Sequence, residues 1–234
     1  MPPSSHCVMT FPDRAIETRV VVFARAPEPG AAKTRLIPLL GADGAAALHS
    51  LLIERTLITA IASAVGRVEL WCAPSASHPL LSACMQRHGI DGVTQCEGDL
   101  GARMQHAAAS TLATAPRMLL IGTDCPALTA ADLRTAASAL EEGHDAVMIP
   151  AEDGGYVLLG LKWWDARLFN YIAWGGDQVL AATRARLAAL NWRWRELPPS
   201  WDVDLPQDFA RLRASGLIPD LDDTLDNARG LNIK

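Results

Sequence analysis

Paired cysteines are missing from this chain. Its five cysteines (Cys7, Cys72, Cys84, Cys96 and Cys125) are odd in number and show no C-x-x-C spacing. That argues against a disulfide frame or a cysteine zinc site and fits free thiols in a reducing cytoplasm. The six histidines form no H-x-x-x-H or H-E-x-x-H pair, so a histidine metal cage is not expected. A G-x-S-x-G elbow is also absent, which removes the sequence sign of an α/β-hydrolase. Positive charge is not in excess. The net charge of -5 and pI ≈ 5.7 argue against broad nucleic-acid or membrane-surface binding. No apolar run approaches the length of a bilayer span. The start of the chain lacks a basic head followed by an apolar core, so a signal peptide is not expected and residues 1–18 read as a disordered lead-in.

What is there is a folded α/β pattern. With 234 residues, 50% of them hydrophobic and 20% charged, the chain can bury a substantial core. Strand-like and helix-like segments alternate: strands at 20–24, 67–72, 93–96, 117–122 and 145–150, with helices at 42–63, 78–88, 100–112 and one starting at Thr129. Asp99 and the Thr129/Asp132 pair read as helix caps. The run Met118 to Ile121 is apolar throughout, as in a strand buried on both faces. Later come a strand at 156–161, a helix at 177–190, a Trp-rich strand at 191–196 and a helix at 205–214. Such alternation predicts a mostly parallel sheet sandwiched between helices. No linker interrupts it. We read a single domain over 19–214, with a nucleotide-binding half (19–150), an acceptor half (151–214) and a tail (215–234). The late Trp-rich strand is a candidate edge strand that could pair in a homodimer.

The loop after the first strand carries the chemistry. An apolar run from Val20 to Phe23 stops at Arg25 and gives way to Pro27, Glu28, Pro29 and Gly30, followed by Lys33, Thr34 and Arg35. The carboxyl ends of strands in open α/β sheets are ligand sites, and helix starts favour anions. Arg25, Gly30, Lys33 and Arg35 therefore suggest a phosphate cradle, although an ordinary solvated loop has the same composition. Ala32 before Lys33 departs from the Walker A loop, and Gly30 alone does not make the three-glycine dinucleotide fingerprint.

Two acidic sites follow apolar strands. Asp124, in Ile121-Gly122-Thr123-Asp124-Cys125-Pro126, ends the most buried-looking strand, where a carboxylate needs a partner or a cation. Mg²⁺ or Mn²⁺ held by one or two carboxylates and phosphate oxygens would meet that need; a helix cap before Pro126 is the plainer alternative. Asp202 and Asp204 flank Val203, and in a strand they would share one face. If that face meets Asp124, the acids form a metal site; otherwise Asp204 caps a Pro-started helix.

Five motifs in order, FARAPEPGAAKTRL, GDLGARM, IGTDCPALT, PAEDGGYVLLGL and WDVDLPQDF, resemble a family of bacterial transferases. It is the radical-SAM-associated, arsenosugar-biosynthesis-type glycosyltransferase group, a branch of the glycosyltransferase-A (nucleotide-diphospho-sugar transferase) superfamily. The resemblance spans residues 19–213 and extends, more weakly, to 2-phospholactate guanylyltransferase and molybdenum-cofactor nucleotidyltransferases. It implies a single-domain glycosyltransferase-A-like fold and a metal-dependent transferase with a nucleotide or nucleotide-sugar donor and a small-molecule acceptor. By the same resemblance Lys33 and Arg35 hold donor phosphates, and Asp124 and Asp204 hold Mg²⁺ or Mn²⁺. Glu152, Asp153, Gly154, Gly155 and Tyr156 then line the acceptor side, with Asp153 or Glu152 as a candidate base. The chain departs from the family at Trp174-Gly175-Gly176, where the family carries Trp-Ser-Thr, so no hydroxyl contact is carried over to that loop. Gly122 also stands where a glycosyltransferase Asp-x-Asp would begin. Glycosyl transfer, nucleotidyl transfer and non-catalytic nucleotide binding on the same fold are the three readings the sequence supports.

Overall fold

A computed structural model describes residues 18–219, 221–228 and 230. The lead-in expected at 1–18 lies outside these residues except for Thr18, which already belongs to the first strand. The elements run β1 (Thr18–Arg25), α1 (Ile37–Ser63), β2 (Val68–Ala73), α2 (Pro79–His88), β3 (Asp91–Thr94), α3 (Leu100–Leu112), β4 (Arg117–Ile121) and α4 (Ala130–Glu141). They continue as β5 (Ala146–Pro150), β6 (Tyr156–Leu161), α5 (Val179–Ala189), β7 (Trp194–Glu196), α6 (Pro206–Ser215) and α7 (Leu221–Ala228).

Seven strands form one sheet in the order β3-β2-β1-β4-β6-β5-β7. β6 runs antiparallel to β4 and β5, and the other pairings are parallel. This is the mostly parallel α/β sheet anticipated from the alternation. Strand periodicity sends successive side chains to opposite faces. Val20, Val22 and Ala24 enter one core with residues of α1, α2 and α4. Val21 enters the opposite core with Met104 of α3 and Leu180 and Leu187 of α5. Helices thus cover both faces, and Met118 to Ile121 of the central β4 are all buried. A third cluster joins the start of α1 to Trp201, Val203, α6 and α7. The tail after residue 214 therefore contributes Leu221 and Leu225 to the core, where periodicity alone had left it without an element.

Local signals place the helix starts. The Asp99 carboxylate accepts from Ala102 N–H at 2.8 Å, and Thr129 with Asp132 closes a reciprocal capping box. The first helix corrects the sequence reading. The helical run Thr34–Ser63 is long and apolar enough to cross a membrane by composition, and half of that apolar window is buried inside the protein. Gly41, with φ of 73°, breaks its regularity near the start.

Candidate functional site

Four chain segments meet beyond the carboxyl ends of β1 and β4. They are the loop leaving β1, the loop after β4, the turn joining β5 to β6, and the stretch after β7. Backbone hydrogen bonds fix the last of these. Leu197 N–H donates to the Met148 carbonyl and Ser200 N–H to the Pro150 carbonyl, both at 2.9 Å, so the chain stays beside β5. It then reaches β4, where Val203 N–H donates to the Asp124 carbonyl at 2.9 Å. Asp202 is thereby brought alongside Asp153 and Asp124.

A cavity of about 650 Å³ opens there. Arg25 and Arg103 supply cations to its wall, and Asp124, Asp153 and Asp202 supply carboxylates. Tyr156, Trp174 and Met104 add an apolar side. The Trp174 indole lies directly over Gly101, where a Cβ would come within 2.0 Å of Nε1. The positive φ of Gly175, 84°, turns the following chain along the cavity edge.

Lys33 is not open to this cavity. Its side chain is 4% exposed, with Nζ 2.5 Å from Asp124 Oδ1 and 3.2 Å from Asp204 Oδ1. The same ammonium donates to the Val203 carbonyl at 2.8 Å. Burial works to lower the Lys33 pKa, but the two carboxylates outweigh it and hold the group above its ordinary value. For Asp124, burial works upward, and Lys33 and His49 more than offset it, leaving the carboxyl below its usual range. Asp124 Oδ1 is shielded from solvent although the side chain as a whole is 46% exposed. One oxygen is therefore sealed against Lys33, and the accessible part of the carboxylate faces the cavity.

His49, on α1, lies behind the same carboxylate. Its Nε2 bonds the Arg25 carbonyl at 3.1 Å, as an N–H donor, which leaves Nδ1 as the lone-pair nitrogen. That atom is buried without a hydrogen-bond partner, 3.9 Å from Asp124 Oδ1. Burial pushes the His49 pKa down, against the upward pull of the Asp124 charge.

The site residues expected from sequence divide into two groups. Arg25, Asp124, Asp153, Gly155 and Tyr156 line the cavity. Asp204 does not: it pairs with Lys33 and, at 3.6 Å, with the largely exposed Arg35. The alternation argument for Asp202 and Asp204 fails because residues 201–204 are not in a strand, so the acid that joins Asp124 at the cavity is Asp202. Glu152 is held outside by Arg211, with contacts of 2.8 and 3.3 Å. Gly154 packs against the Asp177 backbone rather than the cavity, and Gly30 serves the β1 loop as a turn residue with φ of 84°. Arg103, Trp174 and His49 are the wall and support residues that sequence reasoning did not assign, and Asp202 was weighed only as a partner of Asp204 on one strand face. Arg103 sits inside the GDLGARM motif, which was its only signal.

Asp202 is uncompensated. Burial, then the nearby charges of Asp153 and Asp204, push its carboxyl up to about 6. Among the described residues, no group of three His, Cys, Asp or Glu is placed to hold a metal by itself. Two cavity-facing carboxylates, Asp124 and Asp202, suit a Mg²⁺ or Mn²⁺ ion that completes its shell with phosphate oxygens.

Residues 56–176 match the model of a family described as "Uncharacterized protein conserved in bacteria (DUF2064)". No curated protein matches the chain. Among solved structures, a protein from Desulfovibrio desulfuricans G20, assigned as a nucleotide-diphospho-sugar transferase, is 26% identical with a TM-score of 0.80. That match covers 91% of this chain and 98% of the other. A cytidylyltransferase from Leptospira borgpetersenii is 11% identical with a TM-score of 0.59, over 92% of this chain and 94% of the other. Glucosyl-3-phosphoglycerate synthase from Mycobacterium tuberculosis, solved with Mn²⁺, UDP and glucosyl-3-phosphoglycerate, is 12% identical with a TM-score of 0.54, over 92% of this chain and 80% of the other. The fold is that of the nucleotide-diphospho-sugar transferases.

Proposed function

The chain belongs to the DUF2064 family, and we propose that it transfers a glycosyl group from a nucleotide-diphosphate sugar to a hydroxyl of a small acceptor. The observation that carries this reading is the single cavity that sets Arg25 and Arg103 beside Asp124, Asp153 and Asp202. Two arginines suit the charge of a diphosphate donor. The 26%-identical relative assigned to nucleotide-diphospho-sugar transfer supports the choice. So does the motif resemblance to the radical-SAM-associated, arsenosugar-type group.

In this reading Arg25 and Arg103 bind the diphosphate and offset charge as it leaves. Asp124 and Asp202 would hold the divalent cation, which when bound neutralises diphosphate charge. Tyr156 and Trp174 give the sugar and acceptor a ring-sized apolar wall. The acceptor oxygen bonds to the anomeric carbon as that carbon's bond to the diphosphate oxygen breaks. Asp153 takes the hydroxyl proton, and the nucleoside diphosphate departs with the electron pair.

A thermal-shift panel of nucleotide sugars and nucleoside triphosphates, with and without Mg²⁺ or Mn²⁺, tests the reading by linkage. A nucleotide sugar with metal should raise the melting temperature and, with acceptor present, release nucleoside diphosphate. Pyrophosphate release from a triphosphate would instead establish nucleotidyl transfer, the activity of the cytidylyltransferase sharing this fold. No shift with any nucleotide would overturn both.

A further inference from the structure

We infer that Lys33 is the built-in counter-ion of a two-carboxylate cation slot, and hence a positioning residue for Asp124 rather than a ligand of donor phosphates. The positioning role rests on the transferase reading; the counter-ion role does not. An ammonium has three protons to donate. Around Lys33 Nζ stand three acceptors: Asp124 Oδ1 at 2.5 Å, the Val203 carbonyl at 2.8 Å and Asp204 Oδ1 at 3.2 Å. Three oxygens enclose the ammonium, two of them through hydrogen bonds and Asp124 Oδ1 as an ion pair; the side chain is nearly solvent-free and is not part of the cavity wall. A phosphate oxygen could be reached only by abandoning one of these contacts and leaving a buried carboxylate oxygen or carbonyl without its partner.

The backbone agrees. Lys33 has φ of 46° and ψ of 46°, a left-handed conformation uncommon for a side-chain-bearing residue and retained where surrounding contacts over-determine it. Those contacts tie together the β1 loop, the β4 loop and the segment at 203–204. Their consequence for the site is orientation. Lys33 draws Oδ1 of Asp124 inward, so the accessible side of that carboxylate is presented to the cavity. It also occupies the place between Asp124 and Asp204 that a cation would otherwise take. Donor phosphates are then left to Arg25 and Arg103.

Calorimetry on the full chain decides between the roles, with Mn²⁺ alone as one probe and UDP in metal-free buffer as the other. Removing a positive charge from between two carboxylates should tighten Mn²⁺ binding by about ten-fold or more in Lys33→Ala. A general structural defect would weaken it instead. UDP affinity should stay within about three-fold of wild type, since no charge-assisted phosphate contact is lost. Lys33→Met, which keeps the buried stem, carries the same two measurements should the alanine variant fail to fold. Mn²⁺ binding that does not tighten, or a ten-fold or greater loss of UDP affinity, overturns the inference. Failure of wild type to bind UDP would count against the transferase reading, while the Mn²⁺ measurement still decides the counter-ion role.

Discussion

Gly154→Ala probes how the late wall of the cavity is held. A Cβ at this position would lie 2.1 Å from the Asp177 carbonyl oxygen, and 2.7 and 2.8 Å from its carbonyl carbon and Cα. All three are backbone atoms, so no side chain can swing aside. Gly154 also has φ of +92°, a left-handed conformation that costs an L-residue roughly 1–2 kcal/mol. Separating the two backbones breaks the 2.9 Å hydrogen bond from Leu180 N–H to the Gly154 carbonyl, about 1 kcal/mol. Overpacking adds roughly 1–3 kcal/mol. The sum, about 3–6 kcal/mol, falls at the severe end for a point substitution.

In a chain of this size each kcal/mol moves the midpoint by ~2–4 °C, so the variant should melt about 10 °C below wild type by circular dichroism. Gly155→Ala is the internal control. Its nearest contact is the Asp153 Oδ1 side-chain atom at 3.2 Å, and its φ lies outside the left-handed region. Its midpoint should move by about 2 °C or less. If Gly154→Ala melts with wild type, or if Gly155→Ala falls as far, the wall is not held by this backbone contact.

Three further outcomes are expected. Asp202→Asn should leave stability unchanged near pH 4 and raise it above pH 6 in metal-free buffer. A carboxyl raised from 3.8 to about 6 favours the folded state below its unfolded pKa and loses that contribution as pH rises through 6. The gain should be ~1–2 kcal/mol, discounted from at most ~3 because the group is partly buried; denaturant titrations at both pH values measure it. Arg103→Ala should weaken UDP binding by about ten-fold with little change in melting temperature, read by calorimetry and a thermal scan. Thr129→Ala removes the α4 cap and should cost about 1 kcal/mol in a urea titration, leaving UDP affinity unchanged.

Elements with short-range causes were legible in the sequence. The apolar run of β4, the caps at Asp99 and Thr129, and the strand-to-loop transition at Arg25 each depend on a few neighbouring residues, and the structure places elements at each. The cavity's position at the strand ends follows from the same alternation. What was not legible depends on contacts between distant segments. Asp202 and Asp204 are two residues apart and chemically alike, so only the hydrogen bond from Val203 to Asp124 and the departure from strand geometry decide which one meets the cavity. Lys33 looked like a phosphate ligand because loop composition reports charge but not its partners, and its partners lie 91 and 171 residues away. His49 gave no signal in the sequence, since its ring meets the Arg25 carbonyl only after α1 has packed against β1. These three cases share one physical origin. A polar side chain is assigned by whichever opposite charge or acceptor the fold brings to it, and near Asp124 that competition is settled by the crossing of four segments rather than by any one of them.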